Sequence, residues 1–347
     1  MGKKVYTVDE FIKLPEIEHS GDFVKDFFDW QISKWDFAKN NYDSLHSLKV
    51  KHFYFSKASV SVQYNPHRVG STLALVDEEA IAKRKCFLCN ENLHDEQNGI
   101  MLTENYTLLV NPFPIIPIHF TVKFNNHLPQ KISENFVEIL EGAKILGEKY
   151  FLLYNGPEAG ASVPEHRHFQ GGTKKHFPFL HEIIATLSGI KSIGNISLPD
   201  KRLIKKEVLE KNSALLFSIS DGLRNYFVIK GNQISLIDKL FFELFNSMTT
   251  LFPSAKETKL NLISTIDKGN HILIIFPRAK HRPDCFYAEG KDKLLVSPAT
   301  LDFGGIMVLP REEDYRKISP EIIVQIFSEV GYGKRDFNKL VSALEKQ

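Results

Sequence analysis

Residues 160–172 read GASVPEHRHFQGG, with His166, His168 and Gln170 alternating through the middle. On an extended strand alternate side chains share one face, roughly 6.5–7 Å apart, so two imidazoles and a carboxamide line a single surface. A histidine with an unprotonated ring nitrogen can attack phosphorus and form a phosphoramidate that a second acceptor then opens. Such chemistry needs an oriented imidazole, donors for the phosphoryl oxygens, and a backbone that lets substrate approach. His168 is the candidate nucleophile, and Gln170 carries an amide NH₂ on the same face. Gly160, Ala161 and Ser162 form a small-residue loop whose N–H groups and hydroxyl can meet phosphate. The blander readings of an H-x-H on a strand are two metal ligands or two satisfied core histidines.

A second cluster is Cys86-Phe-Leu-Cys89. A C-x-x-C suggests a redox pair or half of a zinc site. Nothing around KRKCFLCNENL resembles the thioredoxin-like unit that a redox pair usually opens. Zinc needs two further ligands, and His119 and His166 are candidates on separate strands. Burial of both cysteines as small apolar groups is the remaining reading.

These residues need elements to hold them. A helical arm is expected over 21–47, from the spacing of Phe23, Phe27, Phe28, Ile32, Trp35 and Leu45. A strand over 51–64 closes at Asn65-Pro66. A knuckle over 86–92 is followed by strands at 101–110 and 119–123 and by a helix over 133–146 that Ser133 can cap. Strands at 151–154 and 166–170 complete a mostly antiparallel sheet. The second half repeats the mixture, with strands near 214–219, 226–229, 260–264 and 271–276 and helices near 236–248 and 320–330. NPFPIIPIH (111–119) and IIFPRAKH (274–281) form a weak internal echo. The expected fold class is α+β: a helical arm (1–50) and two fused halves (51–175 and 176–347).

Composition bounds the function. The 347 residues carry a formal charge of +2, 43% hydrophobic and 25% charged residues. The balance argues against a dedicated nucleic-acid or membrane-surface protein. No apolar run reaches the roughly 20 residues of a membrane helix. The start, MGKKVYTVDEF, has neither a signal-peptide core nor the myristoylation pattern. Three cysteines are too few for a disulfide framework, so a cytoplasmic protein is expected.

Several stretches together resemble the transferase branch of the histidine-triad (HIT) superfamily. That branch includes galactose-1-phosphate uridylyltransferase, diadenosine tetraphosphate phosphorylase and the GDP-hexose phosphorylases. H-x-H-x-Q is similar to its signature, and Asn111-Pro-Phe113-Pro followed by His119 resembles its nucleoside-holding segment. Pro66-His67-Arg68 is similar to the P-H-R whose Arg contacts phosphate. SPATLDFGGIMVLPREEDY (297–315) resembles a C-terminal segment of the GDP-hexose phosphorylases. The likeness spans roughly 60–315 and leaves the first ~50 residues out.

The resemblance implies a HIT-like fold and a nucleotidyltransferase working through a covalent nucleotidyl-His168 intermediate, with Gln170 and Ser162 assisting. Asn111, Phe113, Arg68, Asn155, Gly160 and Ala161 become nucleotide contacts, and Arg278 joins Arg68 in charging the outer phosphate sites. It also implies one structural zinc on Cys86, Cys89, His119 and His166. The loop from Ser162 to His166 is one residue longer than in uridylyltransferases, and Pro112 replaces their Asp, which weakens a uracil pocket. Phosphorolysis of a nucleotide sugar by inorganic phosphate is the leading expectation. A sugar 1-phosphate acceptor, a dinucleoside polyphosphate substrate and a silent nucleotide-binding protein are the alternatives. The implied partners are small molecules, with no nucleic acid and no membrane, and a homodimer is compatible.

Overall fold

The computed structural model describes residues 4–74, 76–254 and 256–346, so the Met1-Gly2 start lies outside them. In chain order the strands are β1 (Val5–Thr7), β2 (Lys49–Tyr54), β3 (Ser59–Tyr64), β4 (Gly99–Met101), β5 (Tyr106–Val110), β6 (His119–Phe124), β7 (Tyr150–Asn155) and β8 (His168–Thr173). They continue with β9 (Ser192–Ile193), β10 (Ile196–Ser197), β11 (Lys201–Leu209), β12 (Asn212–Ser220), β13 (Asn225–Gly231), β14 (Leu260–Asp267), β15 (Asn270–Pro277) and β16 (Ile306–Leu309). One eleven-stranded sheet runs β1-β4-β5-β6-β8-β7-β14-β15-β13-β12-β11, and a second runs β16-β3-β2. Pairing in the large sheet is antiparallel except between β1 and β4. The fold is α+β, as expected.

The large sheet is built from a repeat. β5, β6, the helix Phe136–Leu146, β7 and β8 recur as β12, β13, the helix Ile234–Leu251, β14 and β15. The two sets are arranged in mirrored order about the β7–β14 seam. The echo between 111–119 and 274–281 is not this repeat. The first stretch links β5 to β6, whereas the second ends β15, the counterpart of β8.

Alternation along the central strands feeds two cores. Tyr150, Leu152 and Tyr154 of β7 face one, Phe151 and Leu153 the other. On the first face the two repeat helices meet through stacked Phe136 and Phe241, 3.7 Å between ring centroids. The arm is packed there too: helices Phe23–Lys34 and Asp36–Ser44 bury Phe27, Phe28 and Tyr42 in the same core. The small sheet and the helix Pro320–Val330 cover the other face.

Some boundaries differ from expectation for identifiable reasons. The expected strand 51–64 is a hairpin, turned where the Phe55 N–H meets the Ala58 carbonyl. The helix expected from 133 begins at Phe136, because Ser133 is held by the Glu257 carboxylate instead of capping. The edge strand β11 (KRLIKKEVL) has no clean alternation, and its lysines suit an edge that must not pair further. Among the described residues, no helix is long and apolar enough to cross a membrane.

Gly171 lies in β8, where a Cβ would run into the Phe151 carbonyl and the Phe120 ring. Gly171→Ala should cost about 2–3 kcal/mol by overpacking. Gly333→Ala, with nothing within 4 Å, is the control. Urea unfolding midpoints compare the two, and equal midpoints would contradict the packing described.

Candidate functional site

Pairing between β6 and β8 sets the site. Lys123 lies opposite His168, Thr121 opposite Gln170, and His119 opposite Gly172. Period-two alternation therefore puts 119, 121, 123, 168 and 170 on one face. Phe120, Val122 and Phe169 fill the core behind them.

His168 is buried, and burial holds its pKa below the usual imidazole value. Its Nδ1 lies 2.7 Å from the His166 carbonyl oxygen. A carbonyl only accepts, so the network assigns the proton to Nδ1 and leaves the lone pair on Nε2. Gln130 fixes the backbone here: its Oε1 accepts from the His168 N–H, and its Nε2 donates to the carbonyls of His168 and Asn155.

His119 does not join the cysteines. Its Nδ1 accepts from the Ile115 N–H, so Nε2 carries the proton and donates to Gln170 Oε1 at 3.0 Å. This bond occupies the Gln170 oxygen and turns its NH₂ away from His119. Burial, with Arg68 nearby, pushes the His119 pKa down to about 3, so the ring stays neutral.

The Cys/His cluster is Cys86, Cys89, His127 and His166, whose donor atoms all lie within 4.8 Å of one another. Cys86 Sγ is 3.3 Å from His166 Nδ1, and Cys89 Sγ is 3.1 Å from His127 Nδ1. The far nitrogen of His166 donates to the Phe124 carbonyl, the support expected of an imidazole ligand. These four residues could hold a metal ion. His127 replaces the expected His119 because β6 and β8 are antiparallel. The end of β6 reaches His166, while its start lies beside Gly172, six residues and about 20 Å along the strand.

Two connected cavities border the strand. The larger, about 380 Å³, is lined by Phe87, Leu88, Leu93, Leu109, Asn111 and Phe113 and reaches His168 and Gln170. The smaller is a cleft of about 50 Å³, lined by Ser71, Thr72, Asn155, Gly160, Ser297 and Asp302. Arg68, Ser71, Ser162 and Gln170 line both. Asn111 Oδ1 accepts from the Phe113 N–H, which leaves its NH₂ for the cavity.

Three expected contacts are spent elsewhere. Arg278 is buried and donates to the carbonyls of Ala159, Pro298, Lys280, His281 and Val330 and to Asn261 Oδ1. It lines neither cavity and is a framework residue. The Gly160 N–H meets His281 Nδ1 and the Ala161 N–H meets the Gly156 carbonyl, so neither faces the cleft as a free donor. Gly160 is instead required by its φ of +94° and by Ala299, 2.7 Å from where its Cβ would sit.

Sequence reading missed His127, Gln97, Thr121, Gln130 and Arg84. Gln97 and Thr121 line the large cavity among apolar side chains. Arg84 grips Glu165 with two nitrogens and the Ser162 carbonyl with one, joining the knuckle to the loop. A strand-pairing argument would have found His127, but nothing local marks the others.

Residues 27–173 match a family model described as a domain of unknown function, DUF4922. No curated protein matches the chain. A crystal structure of a DUF4931 family protein from Bacillus cereus is similar at 16% identity and a TM-score of 0.32, covering 65% of this chain and 98% of that one.

The two histidines give opposite outcomes in metal analysis. His127→Ala should lose bound metal, whereas His119→Ala should retain it. Elemental analysis of protein purified without chelators reads this directly. Loss of metal in His119→Ala alone would reverse the assignment.

Proposed function

We propose that the chain is a nucleotidyltransferase in which His168 is the nucleophile. The observation that carries the reading is the His168 imidazole. It is neutral, held through Nδ1, with Nε2 unprotonated on the wall of a mostly apolar cavity, and its strand neighbour Gln170 lines both that cavity and the polar cleft beside it. The large cavity suits a nucleoside, with Phe113 and Phe87 as aromatic faces and Asn111, Gln97 and Thr121 as its few polar groups. Gln170, oriented by His119, and the Ser162 hydroxyl are donors for the α-phosphate.

The chemistry balances in two displacements. His168 Nε2 attacks the α-phosphorus, a P–N bond forms, and the P–O bond to the outer group breaks, so that group departs as a phosphate anion. An acceptor oxygen then attacks the same phosphorus, and the P–N pair returns to Nε2. Nothing is oxidised, and no strong general acid is required. Arg68, Ser71, Thr72 and Ser297 give the cleft one guanidinium and three hydroxyls, a lining suited to phosphate oxygens, which favours inorganic phosphate as acceptor and hence phosphorolysis of a nucleotide sugar to a nucleoside diphosphate.

The Cys86, Cys89, His127 and His166 set fits zinc. Zn–S near 2.3 Å and Zn–N near 2.0 Å give tetrahedral edges of roughly 3.5 Å, close to the separations of 3.1 Å for Cys89–His127, 3.3 Å for Cys86–His166 and 3.7 Å for Cys89–His166. Zinc would supply rigidity at this four-ligand site. His166 is its closest link to the reaction, since the His166 carbonyl holds the His168 proton.

Assay against a panel of nucleotide sugars and dinucleoside polyphosphates, with and without inorganic phosphate, tests the reading. Nucleoside diphosphate should form only when phosphate is added. His168→Ala should fall to background, and Gln170→Ala should lose about 10²-fold in kcat. Full turnover by His168→Ala would overturn the mechanism. Tight nucleotide binding with no turnover on any donor would favour a silent binding protein.

A further inference from the structure

The segment Asn111–Ile115 (NPFPI) is held in an unusual way. Pro112 and Pro114 have no N–H, so the segment cannot complete a strand ladder. Instead, five successive carbonyls each accept a hydrogen bond from a different outside side chain. Tyr42 Oη shares its one hydrogen between the carbonyls of Asn111, at 3.0 Å, and His119; Asn41 Nδ2 donates to Pro112 at 2.8 Å, and Arg68 Nη1 to Phe113 at 2.8 Å. Asn65 Nδ2 donates to Pro114 and Gln63 Nε2 to Ile115, both at 3.2 Å. The three N–H groups are also met: Asn111 by the His119 carbonyl, Phe113 by Asn111 Oδ1, and Ile115 by His119 Nδ1. Every backbone polar group of the segment is therefore fixed.

Two of the five clamps come from the N-terminal arm, to which the family resemblance gives no role. Tyr42 is buried, and its hydroxyl also lies 2.6 Å from the His119 carbonyl, closing the neck of the loop. From the same helix, Phe37 packs edge-on against Phe113 at 5.7 Å between ring centroids. Phe37 in turn stacks on His94, which lies tilted against Trp35. Phe113, at 41% exposure the most open of the clamped residues, thus has an aromatic stack behind it on the arm side.

We infer that Asn41 and Tyr42 are positioning residues for nucleotide binding: the arm preorganises the Asn111–Phe113 wall of the large cavity without lining it. The inference rests on the reading that this cavity takes the nucleoside. Binding to a preordered wall avoids the cost of ordering a loop. Freeing the carbonyls of Asn111 and Pro112 would let the wall move, and the nucleotide would then have to order it.

Asn41→Asp keeps the side-chain shape and removes the donor, and Tyr42→Phe removes one hydroxyl while keeping the ring against Phe28, 4.9 Å away. Asn40→Asp, the same change at the exposed neighbour, is the control. Amide exchange at Phe113, Ile115 and Ile116 and calorimetric titration with GMP, AMP, UMP and CMP are the readouts. Both variants should exchange faster there and bind the preferred nucleotide about tenfold more weakly, with KM rising by more than kcat falls. Asn40→Asp should change neither. Unchanged exchange and affinity in folded Asn41→Asp and Tyr42→Phe would overturn the inference. Faster exchange in a protein whose wild type binds no nucleotide would sustain the clamp and sink the nucleotide reading instead.

Discussion

The antiparallel pairing of β6 with β8 is the constraint on which the rest depends. One register, Lys123 opposite His168 and Thr121 opposite Gln170, sets three things at once. It brings the end of β6 to His166, so that His127 meets the cysteines. It puts the start of β6 beside Gly172 and leaves His119 free to orient Gln170. It keeps His168 between these ends, facing the large cavity. A one-residue slip would send all of these side chains into the core and bring Phe169 out. The register is guarded by packing: Gly171 and Gly172 have no room for a Cβ, and Phe169 lies among Tyr106 and Tyr154.

The two repeats have diverged around this pairing. β15, the counterpart of β8, reads NHILIIFP and is apolar through its middle, where β8 carries His168 and Gln170. The second repeat therefore extends the sheet and the cores. The segment after β15 still reaches the site through Thr300, which bonds Asn155, and through Ser297 and Asp302 in the cleft. Burial pushes the Asp302 carboxyl up to about 6, and its oxygens are taken by the Ala299 and Val308 N–H groups. It shapes the loop beside the cleft.

Much of this was legible in the sequence because local pattern decides it. The apolar strands at 119–123, 151–154, 226–229, 260–264 and 271–276 and the helix at 320–330 all fall within observed elements, since the strands are short, mostly apolar runs buried on both faces and the helix has an apolar face at helical spacing. Cys86, Cys89 and His166 were visible by type and spacing. The fourth member, His127, was not, because it depends on which end of one strand lies beside another. Arg278 misled because a charged residue in a polar loop looks solvated, whereas here it joins six acceptors in the interior. The clamp on 111–115 was invisible for a related reason: its donors, Asn41 to Arg68, are remote in sequence and unremarkable one by one.

The central claim is that the unprotonated Nε2 of His168 takes up a nucleotidyl group. Intact-mass measurement of the protein, mixed with a nucleotide-sugar donor without phosphate, tests it most directly. The account predicts a gain of one nucleoside monophosphate per chain, localised to the peptide carrying His168, lost in mild acid, kept in alkali and discharged by inorganic phosphate. An enzyme that turns over with no such adduct, or an adduct on another residue, would contradict it.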